Sequence, residues 1–112
     1  MESEGKQTNF PHVNTPAMHH MLECMSICAA CAKKCLEDGH LEVADICDEC
    51  ADVCALAIKS KSRRSESQSM IMNLCAQVCK RCQQVCERTE TPHCQECAQA
   101  CKQCAECCFI KY

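Results

Sequence analysis

Along most of this chain the inward-facing pattern is carried by cysteine, in alternating steps of four and three. Cys24, Cys28, Cys31 and Cys35 are spaced 4, 3, 4, and Cys75, Cys79, Cys82 and Cys86 repeat that spacing 51 residues later. Cys47, Cys50 and Cys54 run 3, 4, and Cys94, Cys97, Cys101, Cys104 and Cys108 run 3, 4, 3, 4. A strand would need alternation at every second residue. Steps of three and four instead hold side chains on one stripe of an α-helix, the a and d positions of a heptad. The pattern therefore predicts four helices, each with one seam turned toward its partners.

The punctuation between stripes agrees. Thr15-Pro16 and Thr91-Pro92 each set a capping hydroxyl before a proline at the first helical position. Asp38-Gly39 is a C-terminal stop, with Gly39 free to take positive φ. Ser65-Glu66-Ser67-Gln68 has the form of a capping box, and the basic run from Lys59 to Arg64 suits a loop. These signals predict helices over 16–38, 41–59, 66–88 and 92–109. Residues 1–14 form an irregular N-terminal tail ahead of a single domain at 15–112. Four single-seam helices with short connections make an all-α, antiparallel four-helix bundle. Sixteen of the seventeen cysteines fall on its seams, Cys107 being one step off the stripe. The halves 16–59 and 66–109 have the look of a duplicated hairpin.

Composition then changes what such a core can be. The 112 residues contain 17 Cys, no Trp, one Tyr and two Phe, with five each of Leu, Ile and Val. Cysteine fills a bundle poorly compared with Leu and Ile, so packing alone does not account for sixteen seam thiols. An odd number excludes complete internal pairing. Neighbours three or four apart on a helix have Cβ atoms about 5–6 Å apart, too far for a bridge. Cross-helix disulfides stay open as an alternative, in a redox or disulfide-stapled helical interaction module, but they need an oxidising compartment. Read as a whole chain, Met1–Gln7 contains no apolar export segment, and no run is long enough to cross a membrane. The expectation is a cytoplasmic protein with reduced thiols. A net charge of −3 offers no general attraction to nucleic acid.

Thiolates four residues apart can pinch a metal between adjacent turns: Cys24/Cys28, Cys31/Cys35, Cys50/Cys54, Cys75/Cys79, Cys82/Cys86, Cys97/Cys101 and Cys104/Cys108. Soft thiolates select Cu(I), Zn(II) or iron–sulfur clusters. A Cu(I) replacing one thiol proton leaves the interior neutral, whereas each four-thiolate Zn(II) site keeps two negative charges. No Lys or Arg lies on a seam to offset them, so burial favours the monovalent ion. No Cys precedes a Pro, as an iron–sulfur ligand run of the ferredoxin kind would have. Zinc buffering in the manner of metallothionein remains the metal alternative. A chaperone carrying one ion would need only an exposed pair of thiols.

These Cys-x-x-x-Cys and Cys-x-x-Cys repeats on all four seams, over nearly the whole of 16–109, resemble the bacterial copper storage proteins. The resemblance implies a cysteine-lined bundle holding multiple Cu(I) ions, generally a homotetramer, and of the cytosolic type. Its role would be storage that protects against copper toxicity or supplies copper enzymes. No nucleophile–base pair, phosphate loop or acid pair emerges, so no catalysis is expected.

One end of the bundle should collect Met18, His19, His20, Met21, Met25, Met70, Met72, Cys107 and Cys108. Thioether and imidazole are neutral ligands able to pass Cu(I) inward. Met21 and Met72 extend the seams of Cys24 and Cys75; in the resembled family such an end is where copper is admitted. The candidate ligands are thus the seventeen cysteines with Met21, Met72 and His20. His40 and His93 belong to the opposite end as surface or capping residues. The acids from Glu37 to Asp52 favour solubility. Beside the seams run Ile71, Leu74, Val78 and Val85, and Met25, Ala29, Ala32 and Leu36. These complete the packing or bury an oligomer interface.

Overall fold

The computed structural model describes residues 9–108, which form a short 3₁₀ turn at Pro11–Val13 and four α-helices. These are α1 (Pro16–Glu37), α2 (Leu41–Ser62), α3 (Gln68–Glu87) and α4 (Pro92–Cys108). Both Thr-Pro pairs start helices for the expected reason. Thr15 is extended (φ −121°, ψ 159°), and its Oγ1 accepts from the Met18 amide at 3.2 Å. Thr91 Oγ1 accepts from the Cys94 amide at the same distance.

Helix α1 stops at a Schellman turn. Gly39 takes φ +82°, so that the His40 amide reaches Cys35 O at 2.8 Å and the Gly39 amide reaches Leu36 O at 3.2 Å. The same turn ends α2, with Ser65 N to Ser60 O at 3.0 Å and Arg64 N to Lys61 O at 3.3 Å. Here the left-handed position is filled by Arg64, at φ 53°.

Three expectations need correction. Helix α2 runs three residues beyond 59, so Lys59 and Lys61 occupy its last turn rather than a loop. Cations there meet the negative end of the helix dipole, and Ser62 Oγ ties back to Ile58 O at 2.7 Å. The capping box does not form. Ser67 precedes α3 with φ −90° and ψ 10°, away from the extended shape a cap needs, and makes no side-chain cap bond. Ser65 Oγ instead accepts from the Ser67 amide at 3.1 Å, and α3 begins at Gln68 and ends at Glu87. Finally, the tail is ordered into the 3₁₀ turn where it is described. His12 Nε2 donates to Ser62 O at 2.7 Å, and Val13 packs on the core. The expected tail over residues 1–8 and the end of the last helix at 109 lie outside the described residues.

Each helix packs on two others in the cycle α1–α2–α3–α4–α1. The core holds sixteen cysteines, and the larger part of the remainder is alanine: Ala32, Ala44, Ala51, Ala57, Ala76 and Ala98 are buried with them. Small side chains beside the seams let helices approach closely, which brings facing sulfurs within reach of one another. The flanking stripes divide. Ala32 and Val78 are buried, Met25, Ile71 and Val85 half-buried, and Ala29, Leu36 and Leu74 exposed.

Candidate metal centre

Antiparallel packing sets the cysteine ladders of adjacent helices in register. Between α1 and α4, Cys28 Sγ lies 3.5 Å from Cys101 and 3.6 Å from Cys97, and Cys24 lies 3.9 Å from Cys101. Further along, Cys94 lies 3.6 Å from Cys35 and 4.0 Å from Cys31. Between α2 and α3, Cys47 meets Cys86 at 3.6 Å and Cys82 at 3.9 Å. Cys79 meets Cys50 at 3.6 Å and Cys54 at 3.8 Å. The bundle is narrow enough for sulfurs to meet across its diagonals as well: Cys24 and Cys79, Cys50 and Cys101, and Cys47 and Cys97 are each 3.9 Å apart. Within single helices, Cys24/Cys28 stand 3.8 Å apart, Cys31/Cys35, Cys75/Cys79 and Cys104/Cys108 3.9 Å, and Cys82/Cys86 4.0 Å.

These contacts assemble overlapping sets of four sulfurs, all within 4.8 Å of one another. Among them are Cys24/Cys50/Cys54/Cys79, Cys24/Cys28/Cys50/Cys101 and Cys28/Cys82/Cys97/Cys101. Two more are Cys31/Cys47/Cys86/Cys97 and Cys54/Cys75/Cys79/Cys104. One sulfur often serves two sets, so the core is a continuous lattice rather than a row of separate sites. A metal–sulfur bond of about 2.3 Å puts three sulfurs around one ion about 4 Å apart, and four in a tetrahedron slightly closer. The observed separations meet that need without large movement. They are far beyond the ~2.05 Å of a disulfide, and all seventeen thiols are free.

The electrostatics are those of a thiol network in a dry interior. The Cys24 thiol is pushed down by its sulfur contacts with Cys101, then with Cys104, Cys28 and Cys50. Cys97 is pushed down by Cys101 and Cys28 in the same way, while Cys101 is pushed up by sharing its proton with Cys24 and Cys28. Bonds from Cys31, Cys47 and Cys82 lower Cys86 to about 5. At the far end, burial raises Cys35 to about 11, with Cys94 adding to it. Thus some thiolates form readily, and each one makes the next harder to create unless a cation replaces the proton. Among the described residues, Ser60 alone is both polar and buried. No lysine or arginine among the described residues enters the core.

The Met end is built largely of buried thioethers. Met21 and Met72 are buried and extend their seams. Met18, placed at that end by the sequence but not among the candidate ligands, is equally buried; it lies one turn before Met21, beside the stripe. His20 is half-buried. His19 is exposed and donates from Nε2 to Asn14 Oδ1 at 2.9 Å, and Met70 is exposed. Cys107 is half-buried, whereas its neighbour Cys108 lies in the core, 3.8 Å from Cys75. At the other end His93 pairs with Asp38 at 3.5 Å, and His40, ahead of α2, is exposed and makes no side-chain cap bond.

Comparison with known proteins places this geometry. The family model described as "Copper storage protein" matches residues 12–110. A cysteine-rich protein of Bacillus subtilis (strain 168), YhjQ, is 43% identical over 78 residues, which is 66% of this chain and 72% of that one. Among solved structures, the Cu(I)-bound copper storage protein BsCsp3 superposes with a TM-score of 0.81 at 38% identity, covering 87% of this chain and 94% of that one. The apo form of copper storage protein 3 from Bacillus subtilis superposes with a TM-score of 0.77 at 41% identity, covering 82% and 91%. With its match across the whole bundle and its interior of thiols, the chain belongs to the copper storage protein family.

Proposed function

We propose that this protein stores multiple Cu(I) ions per chain in the thiolate lattice of its core, without catalysis, protecting against free copper and supplying it to copper enzymes. The observation that carries this reading is the overlap of buried four-sulfur sets with no buried cation among them. Many monovalent ions can enter such a lattice, each replacing one proton, and leave it neutral. Zinc would fit the sulfur spacing equally well. It would leave two negative charges for each four-thiolate site, and in so dry an interior that is prohibitive. A Cu(I)-bound relative with the same fold supports the choice.

In this reading all seventeen cysteines are ligands, Cys107 among them at the rim. Met18, Met21, Met72 and His20 make the end that admits copper. The thiols must stay reduced to serve, which suits a cytosolic location. Exposed Leu36 and Leu41, at 60% and 63%, flank a groove of mixed polarity on α1 and α2 and suit a subunit interface in a homotetramer.

Anaerobic titration of fully reduced protein with Cu(I), against a competing chelator, tests the proposal. The expected saturation is close to one ion per cysteine with little change in helicity. Saturation at only a few ions per chain, or zinc alone recovered from copper-replete cells, would overturn it.

A further inference from the structure

The Met end is closed. Met18 is 1% exposed, Met21 is fully buried and Met72 is 4% exposed, so these thioethers cannot take an ion from solvent until something moves. The segment from Phe10 to Asn14 links the two helix ends that meet there on one side, the start of α1 and the last turn of α2. Three of its attachments reach the helices. His12 Nε2 donates to Ser62 O at 2.7 Å, Val13 packs half-buried on the core, and Asn14 Oδ1 accepts from His19 at the surface. Ser62 O is one of the last carbonyls of α2, which lack intrahelical partners, so water can replace His12 there at little loss. The same turn of α2 carries Ser60, whose buried hydroxyl has no hydrogen-bond partner. An unpaired buried hydroxyl disfavours the closed arrangement, and hydration on opening would relieve it.

We propose that residues 10–14 are a strap that gates the Met end, with His12 as the latch that sets how fast Cu(I) enters and leaves. The inference rests on the storage reading above. It adds a residue that controls rate without controlling capacity. Strap and latch lie at one end only; at the other, His93 and Asp38 make a comparable surface pair that has no gating part.

The test compares His12→Ala, His12→Gln and His93→Ala with the unaltered chain, each fully reduced. Stopped-flow uptake of Cu(I) from a weak chelate and its withdrawal by a strong chelator are measured together with capacity and far-UV circular dichroism. His12→Ala should speed both processes roughly fivefold, as expected for a latch with the strength of one ordinary hydrogen bond, at unchanged capacity. His12→Gln, which keeps a donor for Ser62 O, should return toward the original rates, and His93→Ala should leave them unaltered. Unchanged rates in His12→Ala, or equal acceleration in His93→Ala, would overturn the strap. Hydrogen exchange on the unaltered protein gives a second measure should a variant fold poorly. The amides of Val13 and Asn14, bonded to Phe10 O and Pro11 O, should exchange far faster than those of the helix interiors; equal protection would also overturn it. Low capacity in the unaltered chain would instead defeat the storage reading, so the two failures are distinct.

Discussion

Cys28 Sγ and Cys101 Sγ stand 3.5 Å apart across the α1–α4 seam, the closest of the sulfur pairs described above. Cys101 also belongs to two of the four-sulfur sets, whereas Cys107 sits half-buried at the rim. Replacing Cys101 with Ala should therefore lower Cu(I) capacity and weaken retention at the neighbouring sites. Cys107→Ala should lose at most the outermost ion. The loss of one buried sulfur should cost the empty protein about 1 kcal/mol. Chelator titration and thermal melting of both variants check this, and equal losses in the two would contradict the shared-lattice geometry.

The empty bundle should be destabilised by alkali. Burial raises Cys35 to about 11, above its ordinary value of 9.0. In the unfolded chain this thiol ionises near 9 while the folded chain keeps its proton, so the unfolded state binds fewer protons above that pH. The resulting stabilisation is complete below pH 9 and is lost as pH rises from 9 to 11, by a factor of about ten in the folding equilibrium per pH unit for each such thiol. Denaturant melts of reduced, metal-free protein across that range should show a falling midpoint, and Cys35→Ala should flatten the fall. A midpoint that stays level would contradict the assigned shift.

Arg64 holds a left-handed backbone position that favours glycine. Arg64→Gly should stabilise the protein by about 1 kcal/mol, raising its melting temperature by a few degrees. Gly39→Ala should do the reverse. Its new Cβ would meet nothing within 4 Å, so that cost is torsional alone. The pair of melts separates backbone strain from crowding, and a stabilised Gly39→Ala would contradict the argument.

Leu36 and Leu41 present apolar surface beside Asp45 and Asp48 along one groove. If that face joins subunits, Leu36→Glu combined with Leu41→Glu should shift the sedimenting species toward monomer. Copper capacity per chain should be kept, because neither residue faces the sulfur lattice. An unchanged oligomer would move the interface to another face.

Helix number, the helix starts at Pro16, Leu41 and Pro92, and the sixteen seam thiols were legible in the sequence because they depend on local rules. A period near 3.6 cannot place Cys24 inside and Cys28 outside, and a Thr-Pro pair needs only its own turn to cap a helix. Charge balance, also a matter of residue types, was enough to prefer a monovalent ion over zinc. What depends on several segments at once was not legible. Ser65–Gln68 has the residues of a capping box, yet the Schellman turn at Arg64 sets the backbone there and leaves Ser67 out of the extended shape. Met18 lies beside the stripe rather than on it, so its burial became clear only once the helices were packed. His12 sits fifty residues from the carbonyl it binds, a distance no periodicity reports. The lattice itself, in which Cys24 reaches Cys79 and Cys101 together, is likewise a product of tertiary structure. Sequence determines which side of each helix carries sulfur. Only antiparallel packing, drawn close by alanines beside the seams, decides which sulfurs come within reach of one another.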